Sequence, residues 1–152
     1  MTHSINQLLR ITSLFIAAVG AHADTLYVAE EQAHRILKFT GANTSTVFST
    51  ALTTPNSFAV DAAGIVFATD YNTGIYRFTA PDTYTLYGST VGSTAGLALD
   101  ISGNLYVADA GSGKILKYTA ANTFTEFATG LNGSFALALD NNQNLFVNER
   151  FR

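Results

Sequence analysis

An all-β chain built by repeating one four-stranded unit is the fold class this sequence predicts, and three observations predict it. The first is a short apolar strand, a tight polar turn and a second short apolar strand, written three times. Phe58-Ala59-Val60-Asp61 leads through Ala62-Ala63-Gly64 into Ile65 to Asp70. Leu97-Ala98-Leu99-Asp100 leads through Ile101-Ser102-Gly103-Asn104 into Leu105 to Asp109, and Leu137-Ala138-Leu139-Asp140 leads through Asn141 to Asn144 into Leu145 to Glu149. Leu26-Tyr27-Val28-Ala29-Glu30 is the second half of a fourth copy. The second observation is the period: the acids closing these second strands, Glu30, Asp70, Asp109 and Glu149, are 40, 39 and 40 residues apart. The third is an independent pattern at the same period. Phe39 to Phe48 matches Phe78 to Tyr87 and Tyr118 to Phe127, each with Asn or Asp before a Thr-x-Thr run.

Each element follows from its residues. The inner strand (Leu97 to Asp100 in the best copy) is built from Ala, Leu and Val, small side chains that fit where several sheets converge. The second strand is Leu105 to Asp109. The third, Lys114 to Thr119, and the fourth, Phe124 to Thr129, alternate apolar with polar residues, the mark of half-buried strands. Gly, Asn, Asp and Ser fill the turns. Helical periodicity is absent after residue 23. Four short antiparallel strands at a period near 40 predict a β-propeller. Residues 24–50 supply strands two to four of one blade, 56–90 and 96–129 two whole blades, and 135–149 two strands of another. That makes thirteen strands, about three and a quarter blades, an incomplete ring whose edges invite pairing. Leu97, Leu99, Tyr106, Val107, Ile115, Leu116 and Phe127, with their repeat equivalents, are expected to supply most of the apolar burial.

The first 23 residues have another character. Arg10 precedes the short apolar run Ile11 to Val19, and Ala21-His22-Ala23 is a small-x-small cleavage site, so residues 1–23 read as a secretory signal peptide and 24–152 as the mature propeller segment. The run is too brief to span a bilayer. A buried N-terminal helix or a retained anchor is the alternative. Removing residues 1–23 takes away Arg10 and no acid, so Lys+Arg falls from 8 to 7 against 11 Asp+Glu. The mature chain is acidic and has no basic patch interleaved with aromatics, which disfavours nucleic acid as a partner. The chain has no cysteine. Thiol chemistry and thiolate metal sites are excluded, and an exported chain must then hold by packing alone. The expected location is secreted or periplasmic, with no membrane attachment after cleavage.

Gly96-Leu97-Ala98-Leu99-Asp100, Gly103-Asn104-Leu105-Tyr106-Val107-Ala108-Asp109 and Lys114-Ile115-Leu116-Lys117-Tyr118 together resemble the NHL-type propeller repeat. His34-Arg35-Ile36 stands where that family carries Asn-His-Arg-Ile, with Ala33 in place of the Asn. The wider superfamily holds the SMP-30/gluconolactonase-like and streptogramin-lyase-like propellers. The resemblance covers Asp24 onward and speaks to fold more than to function, because one propeller scaffold carries many chemistries. Gluconolactonase-like enzymes place metal ligands where inner strands begin, and the matching positions here are Asn56, Ala95 and Phe135, of which only Asn56 has a donor atom.

Other candidates come from the repeat. Glu30, Asp70, Asp109 and Glu149 are expected on one face, beside the loops between blades. A carboxylate ring at a channel mouth is oxygen chemistry suited to Ca²⁺. Against that, each acid can cap its own two-to-three loop or pair with Arg35, Arg77 or Lys114, and recurrence in every blade favours this reading. Asp61, Asp100 and Asp140, on the opposite face, are expected to accept hydrogen bonds from turn amides. His34 is the one histidine of the mature chain and the one candidate general base. Gly111-Ser112-Gly113-Lys114 lacks the leading Gly, the Ser/Thr and the following helix of a phosphate loop.

The function expected is an exported propeller that binds a protein, glycan or small molecule, without a recognisable catalytic site or resident cofactor. Glu30, His34, Asn56, Asp70, Asp109 and Glu149 are its binding-face candidates, and the ring is expected to be closed either by the remaining blades of a longer polypeptide, of which this chain is a piece, or by copies of the chain. The alternative is part of a lactonase or lyase of the gluconolactonase-like or streptogramin-lyase-like type, using Ca²⁺ or another divalent cation.

Overall fold

The structure is a computed structural model, and it describes residues 14–18, 25–41, 43–71, 73–89 and 93–149. Fourteen strands and one 3-10 turn, Glu31–Ala33, are found among them. β1 (Leu14–Ala18), β2 (Leu26–Glu30), β3 (Arg35–Gly41) and β4 (Thr44–Ser49) form the first antiparallel sheet. β5 (Pro55–Val60), β6 (Val66–Asp70), β7 (Gly74–Ala80) and β8 (Thr83–Gly88) form the second. The third is β9 (Thr94–Leu99), β10 (Leu105–Asp109), β11 (Lys114–Ala120) and β12 (Thr123–Ala128), and β13 (Ser134–Leu139) pairs with β14 (Leu145–Glu149) alone. Each sheet is a meander, as expected of propeller blades.

One strand departs from the expectation. The first blade has an inner strand, β1, which pairs Ile16 with Val28 and Ala17 with Tyr27. These are the positions of Leu97 opposite Val107 and Ala98 opposite Tyr106 in the third blade. The arc therefore has fourteen strands, three and a half blades rather than three and a quarter. The reason is compositional: Leu-Phe-Ile-Ala-Ala is as apolar and small as an inner strand needs to be. The expected cleavage site, Ala21 to Ala23, lies outside the described residues.

Local chemistry sets each hairpin. In the three-to-four turns Asn43, Asp82 and Asn122 sit at φ 62°, 51° and 56°, a region Asn and Asp tolerate better than other non-glycine residues. Between inner and second strands, Asp61 Oδ1 accepts N–H bonds from Ala63 (2.9 Å) and Ile65 (2.8 Å). Asp100 takes the same pair from Ser102 and Asn104, and Asp140 from Asn142 and Asn144.

The core lies between blades, in three layers. Tyr27, Ala29, Ile36 and Phe48 of the first blade meet Phe58, Val66, Ala68 and Phe78 of the second. Phe67, Ile75 and Tyr87 meet Leu97, Leu105, Val107, Leu116 and Tyr118. Tyr106, Ala108 and Ile115 meet Leu137, Leu139, Leu145 and Val147. Hydrogen bonds lock the outer rims: Asp82 N–H donates to Phe48 O (3.2 Å) and Asn122 N–H to Tyr87 O (2.8 Å). Two expected core residues differ. Leu99 is half-buried at the edge of its layer. Phe127 is 53% exposed, where its equivalents Phe48 and Tyr87 are 5% and 9% exposed, because the half-blade β13–β14 brings no third-strand aromatic against it.

Leu105 is fully buried between the second and third blades. Leu105→Ala is expected to cost about 2–5 kcal/mol in urea unfolding, and Leu99→Ala less. A Cβ on Gly88 would lie 2.7 Å from Tyr118 Cε1, so Gly88→Ala also destabilises, by forcing that blade interface apart.

Candidate functional site

One end of the arc gathers the features singled out above. Antiparallel pairing sets the end of each second strand beside the start of its inner strand: Asp70 opposite Pro55, Asp109 opposite Thr94, Glu149 opposite Ser134. The two-to-three loops and the loops between blades therefore share this face.

Its acids are held by local partners. Glu30 is paired with the Arg35 guanidinium, its neighbour across the β2–β3 hairpin. Asp70 is 2% exposed. Its carboxylate accepts N–H and O–H bonds from Thr53 (2.7 and 3.0 Å) and Thr54 (3.3 and 2.6 Å). Asp70 thus caps the loop that enters its blade, not the two-to-three loop that leaves its strand. Glu149 does likewise, accepting from Asn132 N–H (2.9 Å). Asp109 caps its own two-to-three loop through Ser112 N–H (3.3 Å). Lys114 turns away to Glu126. Among the described residues no three His, Asp or Glu side chains come close enough to share a metal ion.

Burial pushes the Asp70 carboxyl up, but the four hydrogen bonds from Thr54 and Thr53 more than offset it and hold the group below its ordinary 3.8. Asp100 is also lowered: desolvation opposes, while bonds from Asn104 and Ser102 and the charge of Lys117 prevail.

Asn56 lies at the inner end of the second blade. Its Nδ2 donates to Thr94 O (3.1 Å) across the blade boundary. Asn56 Oδ1 and Thr94 Oγ1 are both buried without a protein partner. Next along the ring come Ala95, buried, and Phe135. Neither a methyl nor a phenyl group coordinates a cation, so the three inner-strand positions do not fit the ligand set expected of a gluconolactonase-like metal centre.

His34 is exposed on the first two-to-three loop, in the left-handed region (φ 50°), and its Nδ1–H donates to Thr53 O. Tyr71, 42% exposed, binds the next carbonyl of the same loop, its N–H donating to Thr54 O (3.1 Å). The His34 imidazole and the Tyr71 backbone thus bind the carbonyls of residues 53 and 54, whose amides and hydroxyls are held by Asp70. Sequence reasoning picked out His34 and Asp70 but missed Thr53, Thr54 and Tyr71. Thr53-Thr54 directly before Pro55 was the available signal, since Thr hydroxyls and amides together make a carboxylate receptor.

No family model matches the chain, and no curated protein does. Solved structures do. Virginiamycin B lyase from Staphylococcus aureus superposes with a TM-score of 0.74 at 14% identity, over 93% of this chain and 50% of that one. A chain of a nidogen–laminin complex gives 0.72 at 20% identity, over 82% and 51%. A gluconolactonase from Xanthomonas campestris gives 0.70 at 13%, over 86% and 52%. The fold is therefore that of a β-propeller, and the chain spans about half the length of each of these neighbours.

Asp70→Asn is expected to cost about 1.5–3 kcal/mol at neutral pH, the range for hydrogen bonds to a charged group. The sign with pH follows from the lowered carboxyl. Its stabilisation is complete above the unfolded value near 3.8 and is lost as pH falls through the lower folded value. Urea titrations at a series of acid pH values should therefore show the variant and the parent converging towards the lowest pH.

Proposed function

We propose that this chain is an exported binding module, a propeller segment that presents the face bearing His34, Thr53 and Tyr71 to a protein, a glycan or a small molecule. The observation that carries the reading is the use of the acids: Glu30, Asp70, Asp109 and Glu149 each hold a neighbouring loop or side chain in place. They build a rigid platform on which an exposed imidazole and phenol stand. Asn56 and Asp109 belong to that platform rather than to a reaction centre. The nidogen–laminin neighbour is a precedent for this fold in a protein complex. Export to the periplasm or the medium rests on Arg10, the apolar run and Ala21-His22-Ala23. No resident cofactor is part of the reading, and a second copy of the chain is among its partners.

The second reading, a divalent-cation lactonase or lyase, is favoured by the lyase and gluconolactonase neighbours and by the unpartnered Oδ1 of Asn56. The test separates the two. Lactone hydrolysis and the opening of virginiamycin B are measured with and without Ca²⁺ and Mg²⁺. The binding reading expects turnover no faster than buffer. Metal-dependent turnover lost in Asn56→Ala establishes the enzyme instead. Intact-mass measurement on material from the producing cell is expected to find a chain starting at Asp24, and Met1 on soluble protein inside the cell refutes export.

A further inference from the structure

We infer that a second copy of this chain closes the ring by exchanging strands, β13 of one copy becoming the inner strand of the other's first blade. The inference rests on the reading of the chain as an assembling propeller segment and names the surfaces that assemble.

The structure contains a template for the joint. Wherever two whole blades meet, a fourth-strand aromatic of one stacks on a third-strand aromatic of the next: Phe48 on Phe78 at 5.6 Å and Tyr87 on Tyr118 at 6.1 Å. An N–H at the left-handed turn residue then reaches the carbonyl of the first aromatic, Asp82 to Phe48 and Asn122 to Tyr87. At the third blade half of this arrangement is present. Phe127 stands ready, packed on Tyr106 and otherwise open. The other half is found on the first blade, where Phe39 is half-exposed and Asn43 has the same left-handed φ. Continuity with the existing interfaces places Phe39 of one copy over Phe127 of another.

Two strands stand in the way, and each has a replacement in the other copy. β14 reads Leu-Phe-Val-Asn-Glu and β2 reads Leu-Tyr-Val-Ala-Glu. Leu26 and Val28 therefore rebuild the layer that Leu145 and Val147 make with Leu137 and Leu139. Ala29 supplies the small residue found at Ala108, where β14 has the exposed Asn148. β1 in turn gives way to β13. Leu137-Ala138-Leu139 repeats Leu97-Ala98-Leu99, and β2 repeats β10, so the pairing of the third blade transfers directly: Leu139 opposite Leu26, Ala138 opposite Tyr27, Leu137 opposite Val28. β1 is the poorer match, with Ala18 where the others have Val60, Leu99 or Leu139, and no Asp after it to tie the turn. In the exported chain, which starts at Asp24 and so lacks β1, each joint trades the β13–β14 pairing for one β13–β2 pairing and gains the aromatic stack; with β1 retained, two pairings give way to one. Two copies of three blades make a closed six-bladed ring, within the range propellers adopt, with two-fold symmetry and no bare edge.

The experiment is light scattering on the chain recovered after export, residues 24–152, over a concentration series, with two sets of variants. The expected mass is about twice that of the monomer. Phe127→Glu, at a half-exposed position, is expected to return it to the monomer with an unchanged circular dichroism spectrum. The chain has no native cysteine, so Leu26→Cys and Leu139→Cys chains form a disulfide-linked pair only when mixed, never singly. A mass that stays monomeric throughout overturns the inference. So does a dimer that survives Phe127→Glu and gives no mixed disulfide, which joins through another surface. Lactone turnover would remove the binding reading and leave this joint standing, while a monomer would remove the joint and leave that reading.

Discussion

The fold depends on one repeated contact, the aromatic stack that crosses from the fourth strand of a blade to the third strand of the next. A single four-stranded sheet cannot bury both of its faces, so each blade is stable only against a neighbour. There is no disulfide to help. The stack carries the outer half of each interface, with Tyr27 packed edge-on to Phe48 and Phe67 edge-on to Tyr87 behind it, ring centroids 5.0 Å apart in both. Such pairs contribute about 0.5–1.5 kcal/mol beyond the area they bury. The contact also explains a turn. Asn or Asp recurs before Thr44, Thr83 and Thr123 because the turn needs a left-handed residue, and in the second and third blades its N–H then points at the preceding blade.

This dependence makes the two ends of the arc unequal. On the first blade the aromatic stack faces inward, and what the blade leaves half-covered is aliphatic and aromatic in a row: Leu26, Leu37 and Phe39. On the half-blade the uncovered face carries Phe146, 58% exposed, beside Asn148. The polar Asn stands where Ala29, Thr69 and Ala108 are wholly buried. A residue tuned for burial would not be Asn, so β14 is suited to an edge in a way that β2, β6 and β10 are not.

Sequence reading recovers what is periodic and loses what is tertiary. The blades were legible because every strand appears at least three times at one period, and repetition averages out the ambiguity of short apolar runs. The caps at Asp61, Asp100 and Asp140 were legible because their donors lie two and four residues away. Asp70 was not, because its receptors, Thr53 and Thr54, are brought to it by the closing of a whole sheet. Phe127 was misjudged for a related reason: its pattern is that of a core residue, and among the described residues no third strand lies beside β14 to cover it. Leu14–Ala18 shows the deepest ambiguity. A signal core and an inner propeller strand make the same demand on side chains, apolar, uncharged and largely small, so composition cannot separate them.

Function in such a repeat should be sought where the repetition breaks, since a residue serving only the fold has no reason to differ between equivalent blades. On the face bearing Asp61, Asp100 and Asp140 the turns are nearly interchangeable, down to the two turn amides that donate to each carboxylate. On the opposite face almost nothing is shared. The first blade uses an ion pair at Glu30, the second four bonds at Asp70, the third one loop amide at Asp109, the fourth Asn132 at Glu149. His34 is the sole histidine on the described strands and loops, and Tyr71 follows Asp70 where Ala110 follows Asp109. The same four acids that make the face look like a site in the sequence are thus its most structural members. What distinguishes it is the set of loops they hold, and the loop at residues 53–54 is held by the most bonds and flanked by His34 and Tyr71.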